Sequence, residues 1–196
     1  MANLTLLRKQ IRAQRRAFSP REHRQASHKL VYQVIGLDCF ANALHIAGYF
    51  AFDGEPDLAM LFEQVLALNK QLYLPIVGAQ PHDLLLFAPY RLDATLELNR
   101  FGIPEPVVAK EQCLTACDLD LVLTPLVAFD VKGNRLGMGG GYYDRSFAFR
   151  VDPTHPVKPY LLGLAFESQK VADLPRQTWD VPLDGIVTES TVYRVK

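Results

Sequence analysis

Cysteine is scarce in this chain: Cys39, Cys113 and Cys117 are its only three, an odd number. Cys113 and Cys117 lack the spacing and the nearby histidine of a zinc site, so buried, reduced thiols are expected. No apolar run approaches the roughly 20 residues that a bilayer span requires. Arg8, Lys9 and Arg12 interrupt the N-terminus, which excludes a secretory hydrophobic region there and points to a cytoplasmic location. No Gly-Lys-Ser/Thr tripeptide occurs, which removes the Walker A loop, and Tyr142 stands where a dinucleotide fingerprint would need glycine. The histidines at 23, 28, 45, 82 and 155 are scattered without ligand spacing and read as structural or solvated. Repeats, low-complexity tracts and long linkers are also missing, so residues 1–196 read as one domain.

Charge is balanced overall but segregated. Residues 1–30 carry eight Lys/Arg against Glu22 alone, a net +7, and the remainder carries 13 basic and 20 acidic residues, a net −7. Such a basic end suits nucleic acid, a mitochondrial target or an anionic small molecule. The mitochondrial option is weakened because the segment runs straight into a folded-looking helix. Leu4, Leu7 and Ile11 form an apolar stripe at helical spacing, with Arg8, Arg12 and Arg15 aligned on an adjacent face. Ser19-Pro20-Arg21-Glu22 supplies an N-cap, a Pro at the first helical position and a capping-box Glu, which predicts a second helix.

Further along, Leu44 to Phe50 and Leu72 to Val77 read as strands around an amphipathic helix carrying Leu58, Leu61, Phe62 and Val65. Leu84 to Phe87 is another strand candidate, followed by a proline-punctuated loop through Gly102-Ile-Pro-Glu-Pro106. Leu119 to Leu123, Tyr160 to Phe166 and Gly185 to Thr188 are apolar runs of strand length. Strands alternating with helices predict an α/β sheet covered on both faces.

The densest chemistry lies between Thr124 and Arg145. A buried strand feeds a segment holding Gly133, Gly137, Gly139, Gly140 and Gly141, and Tyr142-Tyr143-Asp144-Arg145-Ser146-Phe147 then starts a helix. Strand, glycine loop and helix together present backbone N–H groups to an anion, usually phosphate. Arg135 and Arg145 add positive charge, and Asp130 and Asp144 offer the hard oxygens that Mg²⁺ prefers. Phosphate and Mg²⁺ together indicate a nucleoside triphosphate.

Pro125-Leu-Val-Ala-Phe-Asp130 followed by Gly133-x-Arg135-Leu-Gly-x-Gly-x-Gly-Tyr-Tyr-Asp-Arg145 resembles the signature of the 5-formyltetrahydrofolate cyclo-ligase family. Phe52-Asp-Gly-Glu-Pro-Asp57, Leu74-Pro75 and Trp179-Asp-Val-Pro-Leu-Asp184 fall in the family's order, so the resemblance covers nearly the whole chain. It implies a three-layer α/β/α domain with a mostly parallel central sheet, the scaffold of sugar-phosphate isomerases and CoA transferases. It also implies ATP- and Mg²⁺-dependent closure of 5-formyltetrahydrofolate to 5,10-methenyltetrahydrofolate, a step of one-carbon metabolism. The expected partners are these small molecules, not nucleic acid or membrane, and a monomer is expected.

Carried over residue by residue, Arg135, Leu136, Gly137, Met138, Gly139, Gly140, Gly141, Tyr142 and Tyr143 would cradle the ATP phosphates, helped by Arg8 and Arg12. Arg135, Tyr142 and Tyr143 would be the catalytic groups. Arg12, Phe52, Glu55, Asp57 and Tyr142 would hold the folate, and Asp144 and Asp180 the metal. Arg8 stands where many relatives have Lys, a planar fork in place of a point charge. Two other readings compete. An RNA-associated basic helix leaves Asp144 unexplained and lacks interleaved aromatics. An isomerase or acyl-CoA transferase on the same scaffold would not require ATP.

Overall fold

The first helix starts where the sequence supplies a cap. In the computed structural model, which describes residues 3–78, 80, 82–152, 154 and 158–195, Asn3 Oδ1 accepts the Leu6 N–H at 3.1 Å and α1 runs Leu4–Arg16. His155, read from sequence as structural or solvated, lies outside the described residues. Ser19 opens α2 (Pro20–Ile35) with the expected box: Glu22 N–H donates to Ser19 Oγ, and Ser19 N–H donates to Glu22 Oε2 at 2.9 Å. Next come α3 (Asp38–Asn42), β1 (His45–Ala47), α4 (Ala59–Ala67), β2 (Gln71–Ile76) and β3 (Leu86–Pro89). The proline-punctuated loop contains a hairpin, β4 (Leu96–Leu98) with β5 (Pro104–Pro106). The chain continues through β6 (Leu121–Pro125), β7 (Ala128–Phe129), β8 (Arg135–Leu136), α5 (Tyr142–Ser146), β9 (Tyr160–Leu164), β10 (Gly185–Val187) and β11 (Val192–Arg194).

Seven strands form one sheet in the order β11-β10-β9-β6-β1-β2-β3. The inner five are parallel to their neighbours, and β3 and β11 close the two edges antiparallel. Alternation along each strand divides the core between two faces. Ile46, Leu72, Leu74, Leu121, Leu123, Leu162, Leu164 and Val187 pack beneath α2, α3 and α4. Ala47, Tyr73, Val122, Leu161 and Ile186 face the other way, against Phe87, Leu126, Phe129, Phe147 and Leu183. That second layer is built mainly from short pieces: α5, 3₁₀ turns and the loop through Val181. Gly48 marks the closest approach to the helical layer, because a Cβ there would lie 2.5 Å from the Phe62 ring.

The thiols depart from expectation. Cys117 is exposed and Cys39 and Cys113 are only half-buried. Cys113 and Cys117 sit at surface 3₁₀ turns, where Ala116 and Leu119 supply the buried side.

Sheet topology decides where a ligand can sit. From β1 the parallel order steps one way to β2 and the other way to β6, β9 and β10. Loops leaving the C-terminal ends of two such strands diverge and open a crevice. Here those loops are the Phe52–Asp57 segment after β1 and the glycine-rich segment after β6. The first helix closes over this end. Ile11, with Leu4 and Leu7, packs on Val127, Ala128, Leu136 and Leu174, so the β7–β8 hairpin is the seat of α1.

Polar contacts lock the seat. Arg15 is wholly buried: its Nε donates to Asp53 O at 2.9 Å, Nη2 to Asp53 Oδ2 at 3.2 Å and Nη1 to Leu126 O at 3.2 Å. Removing one partner of a buried ion pair leaves the other charge without compensation. Arg15→Met is therefore expected to destabilise the fold by about 3–5 kcal/mol. Arg16→Ala, an exposed arginine on the same carboxylate, is expected to lose about 0–1 kcal/mol. Urea denaturation of the two variants checks this, and equal losses would contradict it.

Candidate functional site

At the end of β1 the chain turns through Asp53, whose φ of 54° lies in the left-handed region. Asp53 gathers the arginines of α1. Arg12 Nε donates to its Oδ2 at 2.6 Å, Arg15 binds the same oxygen, and Arg16 Nη1 lies 3.5 Å from Oδ1. Burial pushes the Asp53 carboxyl up, but these guanidinium groups outweigh it and hold it below the ordinary carboxylate range. The Arg8-Arg12-Arg15 stripe is thus turned inward onto one acid and one loop, not presented as a polyanion-binding face. Arg8 Nε donates to Gly137 O at 2.9 Å, which ties the helix to the glycine loop.

Two residues on, Glu55 is nearly enclosed. Its Oε2 accepts the Phe52 N–H at 3.1 Å, Oε1 lies 3.6 Å from Arg15 Nη1, and its carbonyl meets His23 Nε2 at 2.9 Å. Burial raises the Glu55 carboxyl from 4.5 to about 7 against the pull of Arg15. Phe52 is exposed beside it. Asp57 serves the local backbone instead, with its Oδ1 accepting the Ala59 N–H at 3.0 Å, at the start of α4.

The glycine loop follows β8. Among the described residues, the N–H groups of Gly137, Met138, Gly139, Gly140 and Gly141 meet no protein acceptor, and residues 137–140 are exposed. Gly139 and Gly141 adopt φ values of 103° and 65°, a backbone that strains any residue with a Cβ. The loop therefore offers consecutive unpaired donors to an anion. Arg145 Nη1 donates to Gly140 O at 2.8 Å and its guanidinium covers the Tyr142 ring at 5.0 Å.

Arg135 points into the protein. Its Nη2 donates to Asp144 Oδ1 at 2.6 Å, its Nη1 donates to Val181 O, and its side chain is 6 % exposed. The Val181 N–H also donates to Asp144 Oδ1, at 3.2 Å. Asp144 is thus fixed through one oxygen, while Oδ2 has no protein donor among the described residues. Asp180, adjacent to Val181, uses Oδ2 for the Gln177 N–H at 2.7 Å, and among the described residues its Oδ1 has no protein donor. Both carboxylates act on the Arg135 guanidinium, and each keeps one hard oxygen of the kind Mg²⁺ prefers. Asp130 does not join them. It is fully buried, and its oxygens accept from Lys132 N, Asn134 N, Asn134 Nδ2 and Leu174 N.

The two tyrosines differ. Tyr142 receives a hydrogen bond from Arg100 and an edge contact from Phe101, centroids 6.2 Å apart. Both come from the tip of the β4–β5 hairpin, which reaches over α5. Tyr143 turns inward and stacks on Phe147 at 6.0 Å, and burial raises its phenol above the ordinary range. The structure thus groups Arg8 with the glycine loop, Arg135 with Asp144 and Asp180, and Arg12 with Asp53 near Glu55. Arg15, Asp53, Arg100 and Phe101 were not identified as site residues from sequence. Arg15 alone carried a signal, its place in the arginine stripe.

A model of the 5-formyltetrahydrofolate cyclo-ligase family matches residues 1–189. The chain is 38 % identical over 182 residues to the 5-formyltetrahydrofolate cyclo-ligase of Haemophilus influenzae, covering 92 % of this chain and 95 % of that one. It is 37 % identical over 184 residues to the Escherichia coli K12 protein of the same name, covering 93 % and 98 %. The solved structure of Aquifex aeolicus 5,10-methenyltetrahydrofolate synthetase is similar with a TM-score of 0.83 at 35 % identity, over 98 % of this chain and 93 % of that one.

Glu55 gives a pH test. A carboxyl with a higher value in the folded than in the unfolded chain contributes stability that is fully present below the unfolded value and lost as pH rises through the folded one. Relative to Glu55→Gln, the native chain is expected to lose stability between pH 4.5 and about 7. The loss should be about 3 kcal/mol, at 1.36 kcal/mol per pH unit. Denaturation of both proteins at pH 5 and pH 8 measures it. A constant difference would mean that Glu55 is ionised throughout.

Proposed function

Because the chain belongs to the 5-formyltetrahydrofolate cyclo-ligase family, as an enzyme that converts 5-formyltetrahydrofolate to 5,10-methenyltetrahydrofolate, we propose that it uses Mg-ATP and proceeds through a phosphorylated formyl group. The run of unpaired N–H groups from Gly137 to Gly141, beside the open oxygen of Asp144, is the observation that carries this reading. A formamide oxygen is a poor leaving group. Transfer of the ATP γ-phosphoryl group to it breaks the bond to ADP and leaves an iminium phosphate. N10 then attacks the formyl carbon, loses its proton, and phosphate departs. Such a transfer depends on positioning and on stabilised charge more than on a strong nucleophile.

In this reading the glycine loop holds the phosphates, with Arg8 fixing the loop and Arg145 supplying positive charge. Asp144 and Asp180 would hold Mg²⁺, which supplies neutralisation of the phosphate charge. Arg135 then acts by orienting Asp144, since its fork is engaged with that carboxylate and the Val181 carbonyl. Glu55, Phe52, Tyr142 and Tyr143 face the folate: a carboxylate for ring N–H donors, aromatic faces for stacking, and a phenol for the formyl oxygen. Arg12 contributes through Asp53, and Asp57 shapes the wall by holding the first N–H of α4. No described helix is long and apolar enough to cross a membrane, and a cytoplasmic monomer acting on small molecules is part of the proposal.

The test follows the absorbance of the methenyl product from 5-formyltetrahydrofolate. Product is expected only when ATP and a divalent cation are both present, and formation unaffected by omitting ATP or adding EDTA would sink the mechanism. Asp144→Asn keeps an acceptor for Arg135 and removes the charge. It is expected to lower kcat/KM by about 10²-fold or more, as for deletion of one preorganised electrostatic group, and to move the Mg²⁺ dependence to higher concentration. Near-native activity across a Mg²⁺ titration would remove Asp144 from the metal site.

A further inference from the structure

The β4–β5 hairpin stands apart from the seven-stranded sheet, and every residue of β4 is exposed. A two-stranded hairpin in water is marginal by itself. This one is nevertheless braced at its tip. Asn99 Oδ1 accepts the Phe101 and Ile103 N–H groups at 2.8 and 3.1 Å, and Gly102 turns the chain with a φ of 76°. Asn99 Nδ2 donates to Glu105 Oε1 at 2.7 Å, and the same oxygen accepts the Val77 N–H at 2.9 Å. Val77 directly follows β2, so one carboxylate anchors the tip to the main sheet. The bracing builds no core, since Leu96, Leu98 and Phe101 stay exposed. It fixes what the tip carries.

The tip carries Arg100 and Phe101 to Tyr142. Arg100 Nη2 donates to the Tyr142 hydroxyl, and its guanidinium lies 5.2 Å from the Phe101 ring and 6.0 Å from the Tyr142 ring. Tyr142 in turn lies on the glycine loop: a Cβ at Gly140 would be 2.9 Å from its ring. A ligand held by the N–H groups of that loop therefore has this phenol at its border. An arginine has donors only, so it occupies the acceptor side of the phenol oxygen. The phenol hydrogen turns to another acceptor, and among the described residues none receives it.

We propose that Arg100 is a positioning residue: by holding the Tyr142 oxygen from the hairpin tip, it directs the phenol O–H toward the bound folate. This rests on the folate reading given above, and it makes Tyr142, not the inward-turned Tyr143, the phenol that donates to substrate. Arg100 makes no contact with the folate in this arrangement. It acts through the hydroxyl alone.

A double-mutant cycle with Tyr142→Phe tests that route. Arg100→Met keeps the aliphatic stem and removes the donor. It is expected to raise the KM for 5-formyltetrahydrofolate about tenfold, the low end for a hydrogen bond to a charged group, with the KM for ATP unchanged. In the Tyr142→Phe background, the same substitution is expected to add nothing further. If its effect there is as large as in the native protein, Arg100 works by touching the folate or by bracing the hairpin, and the proposal is overturned. An unchanged folate KM in Arg100→Met alone overturns it as well. So does an equal rise in the KM for ATP, which would mean that the glycine loop itself has shifted. Binding of 5-formyltetrahydrofolate to the native protein without ATP, measured by calorimetry, separates the two levels. If the native protein neither binds nor converts the folate, the underlying reading fails and this one with it. If it does both and the cycle is additive, only the Arg100 assignment fails.

Discussion

A single buried guanidinium, that of Arg15, ties together the parts that make this crevice. Taking an arginine out of water costs several kcal/mol, and that cost is offset only when each face of the group is met by a partner. Here the partners are Asp53 and Glu55 from the loop after β1 and the Leu126 carbonyl from the loop after β6. The two loops that diverge at the centre of the sheet are thereby clamped to a third element. With Arg15 fixed, α1 can lie in one register only, which carries Arg12 to Asp53 and Arg8 to Gly137. The positions of the glycine loop and the Phe52–Asp57 loop relative to each other follow from that register.

Within this frame the acidic groups are held at different degrees of freedom. Asp130 is saturated by four donors and serves as the pivot of the turn between β7 and β8. Asp144 is held by one oxygen only, with the other available. A carboxylate oriented in advance does not have to reorganise when charge develops, which is the condition under which a single electrostatic contact has its full effect on a rate. Arg135 supplies that orientation from a largely buried position, so the guanidinium is shielded while the carboxylate is only partly buried.

The parts legible in the sequence are those with local signals. The capping box at Ser19, the apolar stripe of α1, the alternating strands and the glycine run each announce themselves within a few residues. The acids around the glycine run made Asp144 a candidate, and family resemblance added Glu55 and Asp180, which no periodicity would have found. What escaped was long-range or pattern-poor. An arginine in a basic helix looks the same whether it faces water or a buried acid 38 residues away, so Arg15 and Asp53 carried no decisive mark. The β4–β5 hairpin escaped because both its strands are short, β4 is exposed on every residue, and prolines bound β5. Arg100 and Phe101, at its tip, were hidden with it. The thiols were expected inside because cysteine is usually buried, yet surface 3₁₀ turns carried Cys113 and Cys117 outward.

The docking of α1 has a consequence for how the chain is made. Arg8 bonds to a residue 129 positions later, and Arg15 to one 111 positions later. At roughly 5–20 residues per second, α1 leaves the ribosome many seconds before its seat on the β7–β8 hairpin exists. During that interval the stripe of Leu4, Leu7 and Ile11 has no native surface to cover it, and the arginines beside it carry the positive charge that keeps the segment in solution. Because Asp53 and Glu55 emerge earlier than the hairpin, the acid partners of α1 are available before its apolar partners are. The order of synthesis thus favours electrostatic capture of the helix first and burial of its stripe afterwards, with the crevice completed only when the glycine loop has been translated.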